Sequence, residues 1–292
     1  MDKDMKIVIL GGKGQLGTEI YEYLKDKEEI YSFSHQELDI LNYDLLEKKL
    51  QEIKPDVVIN CSAYTKVDKA EEEKDECIKV NTIGAKYVSF LAYKVGAKIV
   101  YFSTDYIFDG EKSTPYTEFD DPNPLSVYGL SKLYGEKLTI EHNPNHLILR
   151  ISWLYGIYGR NFVKTILNLA RERKKLTIVN DQKGSPTYTL DVAKQVYELI
   201  KKDKVGIYHS SNQGETTWYD FAKRIIEILK IKDVEVLPIK TEEYPSIAKR
   251  PKYSVLDNFL LKLEGINIMR DWEIALEDFL NTYKDILLGE KE

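Results

Sequence analysis

Residues 5–17 constrain the fold more than any other stretch. An apolar run, Met5-Lys6-Ile7-Val8-Ile9-Leu10, passes directly into Gly11-Gly12-Lys13-Gly14-Gln15-Leu16-Gly17, and a helical pattern through Ile20, Tyr21 and Leu24 follows. A short apolar run bounded by glycine reads as a buried strand. Strand, glycine turn and helix in immediate succession open a dinucleotide-binding unit: glycine lets the backbone approach a pyrophosphate, and the helix N-terminus attracts its charge. The turn satisfies two spacings, Gly12/Gly14/Gly17 as GxGxxG and Gly11/Gly14/Gly17 as GxxGxxG.

The same alternation continues. Strands are expected over 30–33, 57–59, 98–102 and 146–151, and helices over 45–53, 70–77, 81–95 and from Tyr128 to about 141. This rhythm predicts an α/β fold, a doubly wound parallel (Rossmann) sheet with ligands at the C-terminal ends of its strands. Past Ser152 the rhythm breaks into aromatic and glycine-rich loops, short strands and separated helices. The expectation is a dinucleotide-binding domain over 1–152, to which 188–212 returns. A smaller α/β substrate-binding lobe is built from 153–187 and 213–292. A chain of 292 residues accommodates one large domain or two coupled ones.

A net charge of −6 with no long basic block argues against nucleic acid or an acidic membrane as the main partner. Cys61 and Cys77 form neither a CxxC nor a metal-spaced set, which suits a reduced, cytoplasmic setting. The charged first residues lead straight into a strand, with no signal peptide or membrane span in view. His35, His142, His146 and His209 are scattered, so no metal site is expected.

The chemistry concentrates in residues 103–132. The strand Lys98-Ile99-Val100-Tyr101-Phe102 runs into Ser103-Thr104-Asp105-Tyr106, and Tyr128-Gly129-Leu130-Ser131-Lys132 follows. On a helix, Tyr128 and Lys132 share one face, one turn apart. A phenol beside an ammonium has a lowered pKa, as proton transfer to a reduced carbonyl near neutral pH requires. The pair alone decides nothing, because Tyr-x-x-x-Lys recurs at Tyr21/Lys25, Tyr23/Lys27, Tyr197/Lys201 and Tyr219/Lys223. Only the Tyr128 copy follows a strand ending in Ser-Thr-Asp downstream of a glycine turn. The small residues after the third strand, around Ala63, allow a flat cofactor to lie against the backbone. The second strand ends in Ser34-His35-Gln36, with no acid to accept from a ribose 2′-hydroxyl and no Arg to clamp a 2′-phosphate, so NADPH and NADH both stay open.

The glycine turn, the Ser103-Thr104-Asp105-Tyr106-Ile107-Phe108-Asp109-Gly110 run and Tyr128-Gly129-Leu130-Ser131-Lys132 together resemble the extended short-chain dehydrogenase/reductases. Within them the chain is similar to the dTDP-4-dehydrorhamnose reductase family over nearly its whole length, through residues 60–68, 150–156, 181–187 and Lys249-Arg250-Pro251 as well. The resemblance implies NAD(P)H-dependent reduction of the C4 ketone of a dTDP-4-ketosugar, with Tyr128 as proton donor. Lys132 would hold the nicotinamide ribose, and Thr104 would bond the sugar C4 oxygen. It puts Asp105 and Trp153 on the substrate, with Thr104 and Tyr128. It puts Gly11, Gly14, Gln15, Leu16 and Gly17 under the pyrophosphate, Asp39 and Ile40 near the adenine, and Ala63, Tyr64, Thr65 and Phe102 near the nicotinamide. Tyr64 stands where relatives often carry histidine. Some relatives hold Mg²⁺ between subunits; Glu19 is a candidate ligand, but no full ligand set can be assembled. The implied partners are a dTDP-sugar and a second copy in a homodimer. Two readings compete: a reductase of another nucleotide-linked 4-ketosugar, and a non-catalytic subunit resembling the regulatory subunit of methionine adenosyltransferase.

Overall fold

The computed structural model describes residues 4–289. In chain order the first half runs β1 (Lys6–Leu10), α1 (Gln15–Leu24), β2 (Glu29–Phe33), α2 (Tyr43–Ile53) and β3 (Val57–Asn60). Two short helices follow, α3 (Val67–Ala70) and α4 (Lys74–Ile78), then a π-helical turn over Lys79–Gly84 and α5 (Ala85–Lys94). β4 (Lys98–Thr104), a 3₁₀ turn over Asp105–Ile107, α6 (Val127–His142) and β5 (His146–Ile151) complete it. The second half contains β6 (Leu154–Tyr155), α7 (Phe162–Glu172), β7 (Lys175–Val179), β8 (Lys183–Gly184), β9 (Thr187–Tyr188), α8 (Thr189–Lys201) and β10 (Gly206–His209). It closes with β11 (Thr216–Thr217), α9 (Trp218–Ile228), β12 (Glu235–Ile239), α10 (Phe259–Leu263), α11 (Trp272–Thr282) and α12 (Lys284–Leu288).

Six strands pair in the order β2-β1-β3-β4-β5-β10, all parallel. Alternate residues of each strand face opposite sides. Ile7 and Ile9 pack with Leu16, Ile20 and Leu24 of α1 and Val192, Val196 and Leu199 of α8. Val8 and Leu10 pack on the other side with Leu46 and Leu50 of α2 and Val88 and Leu91 of α5. Both faces are covered, which is why the strands read as continuous apolar runs. The strand order reverses between β1 and β3, and a crevice opens there at the C-terminal ends. A separate core of Tyr155, Ile166, Tyr188, Phe221, Leu276 and Phe279 holds α7, α9 and α11 together.

Four local expectations need correction. The second helix begins at Tyr43, because the Asn42 side chain accepts from the Leu45 N–H and caps it there. The charged segment over 70–77 is split between α3 and α4. The helix expected from Asn81 begins as the π-helical turn. The strand β12 was not foreseen; it is only half-buried and pairs in parallel with β7.

Candidate active site

A cleft of about 490 Å³ opens at the C-terminal ends of the central strands. Gly14, Gln15 and Leu16 line it after β1, and Cys61, Ala63 and Thr65 after β3. Phe102, Ser103, Thr104 and Asp105 come from the end of β4, and Ile151, Ser152, Trp153 and Leu154 from the end of β5 and beyond. Tyr128 and Lys132 enter from α6, and Arg160 stands at the mouth.

Local chemistry places the reactive trio. Thr104 ends β4, and its Oγ1 accepts from the Tyr106 N–H at 3.2 Å, starting the 3₁₀ turn. Ser126 caps α6 by accepting from the Gly129 N–H at 3.1 Å. Gly129 lies against the Tyr106 carbonyl, where any Cβ would overlap. That close approach brings Tyr128 to the same cleft wall as Thr104. Tyr106 meets Tyr128 edge-on, with ring centroids 5.9 Å apart.

The electrostatics correct one expectation. Tyr128 is partly exposed to the cleft, yet desolvation by the surrounding protein pushes its phenol pKa up, opposed by the neighbouring Thr104 hydroxyl. Lys132 is 4 % exposed, and burial lowers its pKa to about 8 against the pull of Glu136. Its Nζ lies 4.3 Å from the centre of the Tyr101 ring, a cation–π contact. The expected fall in the Tyr128 pKa is thus a rise here, because desolvation of the phenolate dominates.

A buried network supports the trio. Asn81, in the π-helical turn, donates to Ser131 Oγ at 2.9 Å and to the Tyr64 carbonyl at 3.0 Å, and accepts from the Tyr64 N–H at 2.8 Å. Ser131 Oγ donates to the Tyr128 carbonyl. Glu136, one turn beyond Lys132, receives Arg150 Nε and Nη2 at 3.0 and 2.9 Å. The sequence reading missed the roles of Asn81, Ser131 and Glu136; Ser131 and Glu136 are signalled by their helical spacing from Tyr128 and Lys132, whereas Asn81 comes from a distant segment.

The glycine turn suits a pyrophosphate. The Gly14 N–H donates to the Gly11 carbonyl at 2.9 Å, no side chain caps α1, and no acid occupies its first turn. Gly11 and Gly17 shape this turn from behind, without lining the cleft. Asn161 Nδ2 donates to Gln15 Oε1, fixing that side chain from the other half of the chain. Ser103 Oγ, also missed in the sequence, is buried at the cleft wall without a hydrogen-bond partner.

Three of the expected residues stand outside this cleft. Asp39 Oδ1 accepts from the Leu41 N–H, and Ile40 is buried in the core beside α2 and α5. The Tyr64 hydroxyl donates to Glu73. None of the three lines the cleft. The end of β2 does hold an acid: the Ser34 N–H and hydroxyl both donate to Glu37 Oε2, at 2.8 and 2.7 Å. A four-residue turn from Ser34 folds Glu37 back, and the Ser34 hydrogen bonds, with Lys13 of the glycine turn, lower its pKa. Glu19 is buried and accepts from Thr189. Among the described residues no group of His, Cys, Asp and Glu could hold a metal ion.

A second cavity of about 460 Å³ lies in the other half of the chain, lined by Phe162, Arg173, Gln182, Trp218, Tyr244 and Arg250 among others. Trp218 stacks on Trp153, so the two cavities share an aromatic wall. Trp153 has φ 46°, a left-handed conformation uncommon for a bulky residue. Asp68, on α3, receives Arg250 Nη1 and Nη2, Ser246 Oγ and the N–H groups of Ile247 and Ala248.

A doubly wound parallel sheet, an uncapped glycine turn and a Thr–Tyr–Lys cluster at the strand ends define a dinucleotide-dependent oxidoreductase. Within that class the chain belongs to the RmlD substrate binding domain family, whose profile matches residues 5–285. A dTDP-4-dehydrorhamnose reductase of Aggregatibacter actinomycetemcomitans is 41% identical over 289 residues, covering 94% of this chain and 97% of that protein. The crystal structure of a dTDP-4-dehydrorhamnose reductase from Clostridium acetobutylicum is 47% identical with a TM-score of 0.94, covering 96% of this chain and 100% of that one. That of the Bacillus anthracis enzyme, in complex with NADP, is 44% identical with a TM-score of 0.93, covering 96% and 99%.

Proposed function

We propose that this chain reduces the C4 ketone of dTDP-4-dehydro-β-L-rhamnose to dTDP-L-rhamnose, the last step in making that sugar donor. The observation that carries this is a single cleft lined together by Thr104, Tyr128, Lys132 and the glycine turn. A bound NADPH or NADH supplies the hydride. The uncapped N-terminus of α1, with Gly11, Gly14, Gln15, Leu16 and Gly17, would hold its pyrophosphate. Lys132 would hold the nicotinamide ribose, with Ala63, Thr65 and Phe102 nearby. The segment over 1–152 with 188–212 would form the dinucleotide domain, and 153–187 with 213–292 the substrate lobe.

Thr104 and Tyr128 would both offer hydroxyls to the C4 oxygen of a sugar bound in the cleft. Tyr128 gives its proton to the alkoxide as it forms, and burial keeps that proton on the phenol until then. Asp105 and Trp153 would orient the sugar, and Arg160 offers a charge for an anionic group. The second cavity, beyond Trp153 and Trp218, suits the nucleotide: it offers an aromatic wall and two arginines. The intact trio favours an enzyme over a regulatory subunit. The setting we infer is cytoplasmic; no helix among the described residues is long and apolar enough to cross a membrane. The test is cofactor oxidation with a panel of dTDP-4-ketosugars and identification of each product. Preferred turnover of dTDP-4-dehydro-β-L-rhamnose is the expected result, and preference for a different ketosugar would transfer the assignment to that substrate.

A further inference from the structure

Between β12 and α10, residues 244–258 form neither helix nor strand. Apolar burial does little to anchor the first part of this strap: Tyr244 is 48 % exposed and Ile247 62 %. A segment with so little buried apolar surface opens easily unless something else holds it. Its anchor is polar and comes from the other half of the chain. Asp68, on α3, takes five hydrogen bonds from the strap. Its Oδ1 accepts from Ser246 Oγ at 2.9 Å, from the N–H groups of Ile247 and Ala248 at 3.1 and 3.0 Å, and from Arg250 Nη1 at 3.1 Å. Its Oδ2 accepts from Arg250 Nη2 at 2.7 Å. Two bonds between one guanidinium and one carboxylate fix orientation as well as distance. The next part of the strap is held separately. Pro251 and Lys252 pack on Gly110, at φ 80°, where a Cβ would collide with both. The Lys252 carbonyl accepts from the Lys183 N–H, and the Ser254 N–H donates to the Lys183 carbonyl, both at 2.8 Å.

We propose that Asp68 is a positioning residue for the nucleotide sugar, holding residues 244–250 in place as a wall of the second cavity. The inference rests on the reductase reading above and adds to it a residue that acts through the strap. Tyr244, Pro245 and Arg250 line that cavity, and the Trp153–Trp218 stack joins it to the strand-end cleft. Asp68 itself follows closely on Ala63 and Thr65, which line the cleft from the dinucleotide side. One carboxylate therefore ties the wall that meets the nucleotide to the segment that flanks the nicotinamide. With Nη1 and Nη2 both bonded to Asp68, the Arg250 guanidinium keeps one orientation at the cavity it lines. Residues 251–254 do not depend on the clasp: Gly110 and Lys183 hold them, and Ser254 Oγ donates to Asp105 Oδ2 at 2.6 Å. Loss of Asp68 thus disturbs nucleotide binding and spares the reactive end of the cleft.

The experiment compares wild type, Asp68→Asn and Asp68→Ala. It follows hydrogen exchange at the Ile247 and Ala248 amides and measures the affinities for dTDP and for NADPH separately, with kcat and KM for the ketosugar alongside. Asp68→Ala should speed exchange at both amides. It should weaken dTDP binding, and raise KM for the ketosugar, by about tenfold. NADPH affinity and kcat should stay within about threefold of wild type, because the clasp serves binding of the nucleotide sugar alone. Asp68→Asn keeps one acceptor oxygen but loses the charge that pairs with Arg250, and its dTDP affinity should fall between the other two. Unchanged dTDP affinity despite faster exchange overturns the proposal. So does NADPH affinity that falls as far as dTDP affinity, the mark of a general structural role. Asp68→Asn decides the matter if Asp68→Ala does not fold. Absence of turnover by the wild type with every ketosugar removes the reductase reading instead, and the dTDP and NADPH affinities still decide the role of Asp68.

Discussion

Trp153 and Trp218 lie face to face, ring centroids 3.4 Å apart and planes 8° from parallel, and join the wall of the strand-end cleft to the wall of the second cavity. Gly184 packs under the Trp153 indole, where a Cβ would collide with the ring. If the sugar lies against Trp153 and its nucleotide beyond Trp218, the stack sets the distance between them. Trp218→Ala should raise KM for the nucleotide sugar about tenfold, with a smaller change in kcat, because it removes binding made equally in ground and transition states. Gly184→Ala should do the same by displacing Trp153. Steady-state kinetics with sugar as the varied substrate check both, and an unchanged KM in both variants would detach the second cavity from substrate binding.

Cofactor choice turns on Glu37. Its carboxylate takes both donors of Ser34, so the Ser34 hydroxyl is not free for a 2′-phosphate. Lys13 stands near it as a positive group. The expected wild type accepts both cofactors with NADPH preferred by about tenfold or less, roughly 1.4 kcal/mol. Glu37→Gln should increase that preference, because it removes a negative charge near the ribose. The check is kcat/KM for each cofactor at saturating sugar; a move toward NADH would place the ribose elsewhere.

Much of this was legible in the sequence, for definite reasons. The central strands carry apolar residues on both faces, so they announced themselves, and the glycine turn fixed which crevice to search. Thr104, Tyr128 and Lys132 were recoverable because a strand end and a helical repeat are local patterns. What stayed hidden depends on contacts between distant segments. Ser254 reaches Asp105, and Arg250 reaches Asp68, across most of the chain. Glu37 was nearer, but only the fold of the 34–37 turn shows that its carboxylate lies at the end of β2. The rise in the Tyr128 pKa comes from desolvation by the protein around the cleft, which spacing does not reveal.

Acid should destabilise the fold through His209. Burial, with Arg150 adjacent, lowers its pKa to about 3, and its Nδ1 lies 3.0 Å from the Tyr116 carbonyl and 3.1 Å from that of Asp257. The unfolded chain protonates this imidazole near pH 6.5, whereas the folded chain does not until about pH 3. Between those values the unfolded state binds more protons, so stability is full above about pH 6.5 and is lost as pH falls toward 3. Thermal unfolding from pH 7 to 4 should show a steeper fall in Tm for the wild type than for His209→Gln. Equal slopes would mean that His209 is not held neutral.

The most direct test of the account compares wild type with Tyr128→Phe in the oxidation of NADPH by dTDP-4-dehydro-β-L-rhamnose, with cofactor affinity measured alongside. The substitution removes the one hydroxyl proposed to give the proton and leaves the ring that packs against Tyr106. The account predicts nearly unchanged cofactor binding and a loss of turnover of about 10²-fold or more, whereas the same change at Tyr197 or Tyr219 does little. Turnover by Tyr128→Phe within a few-fold of wild type would contradict it.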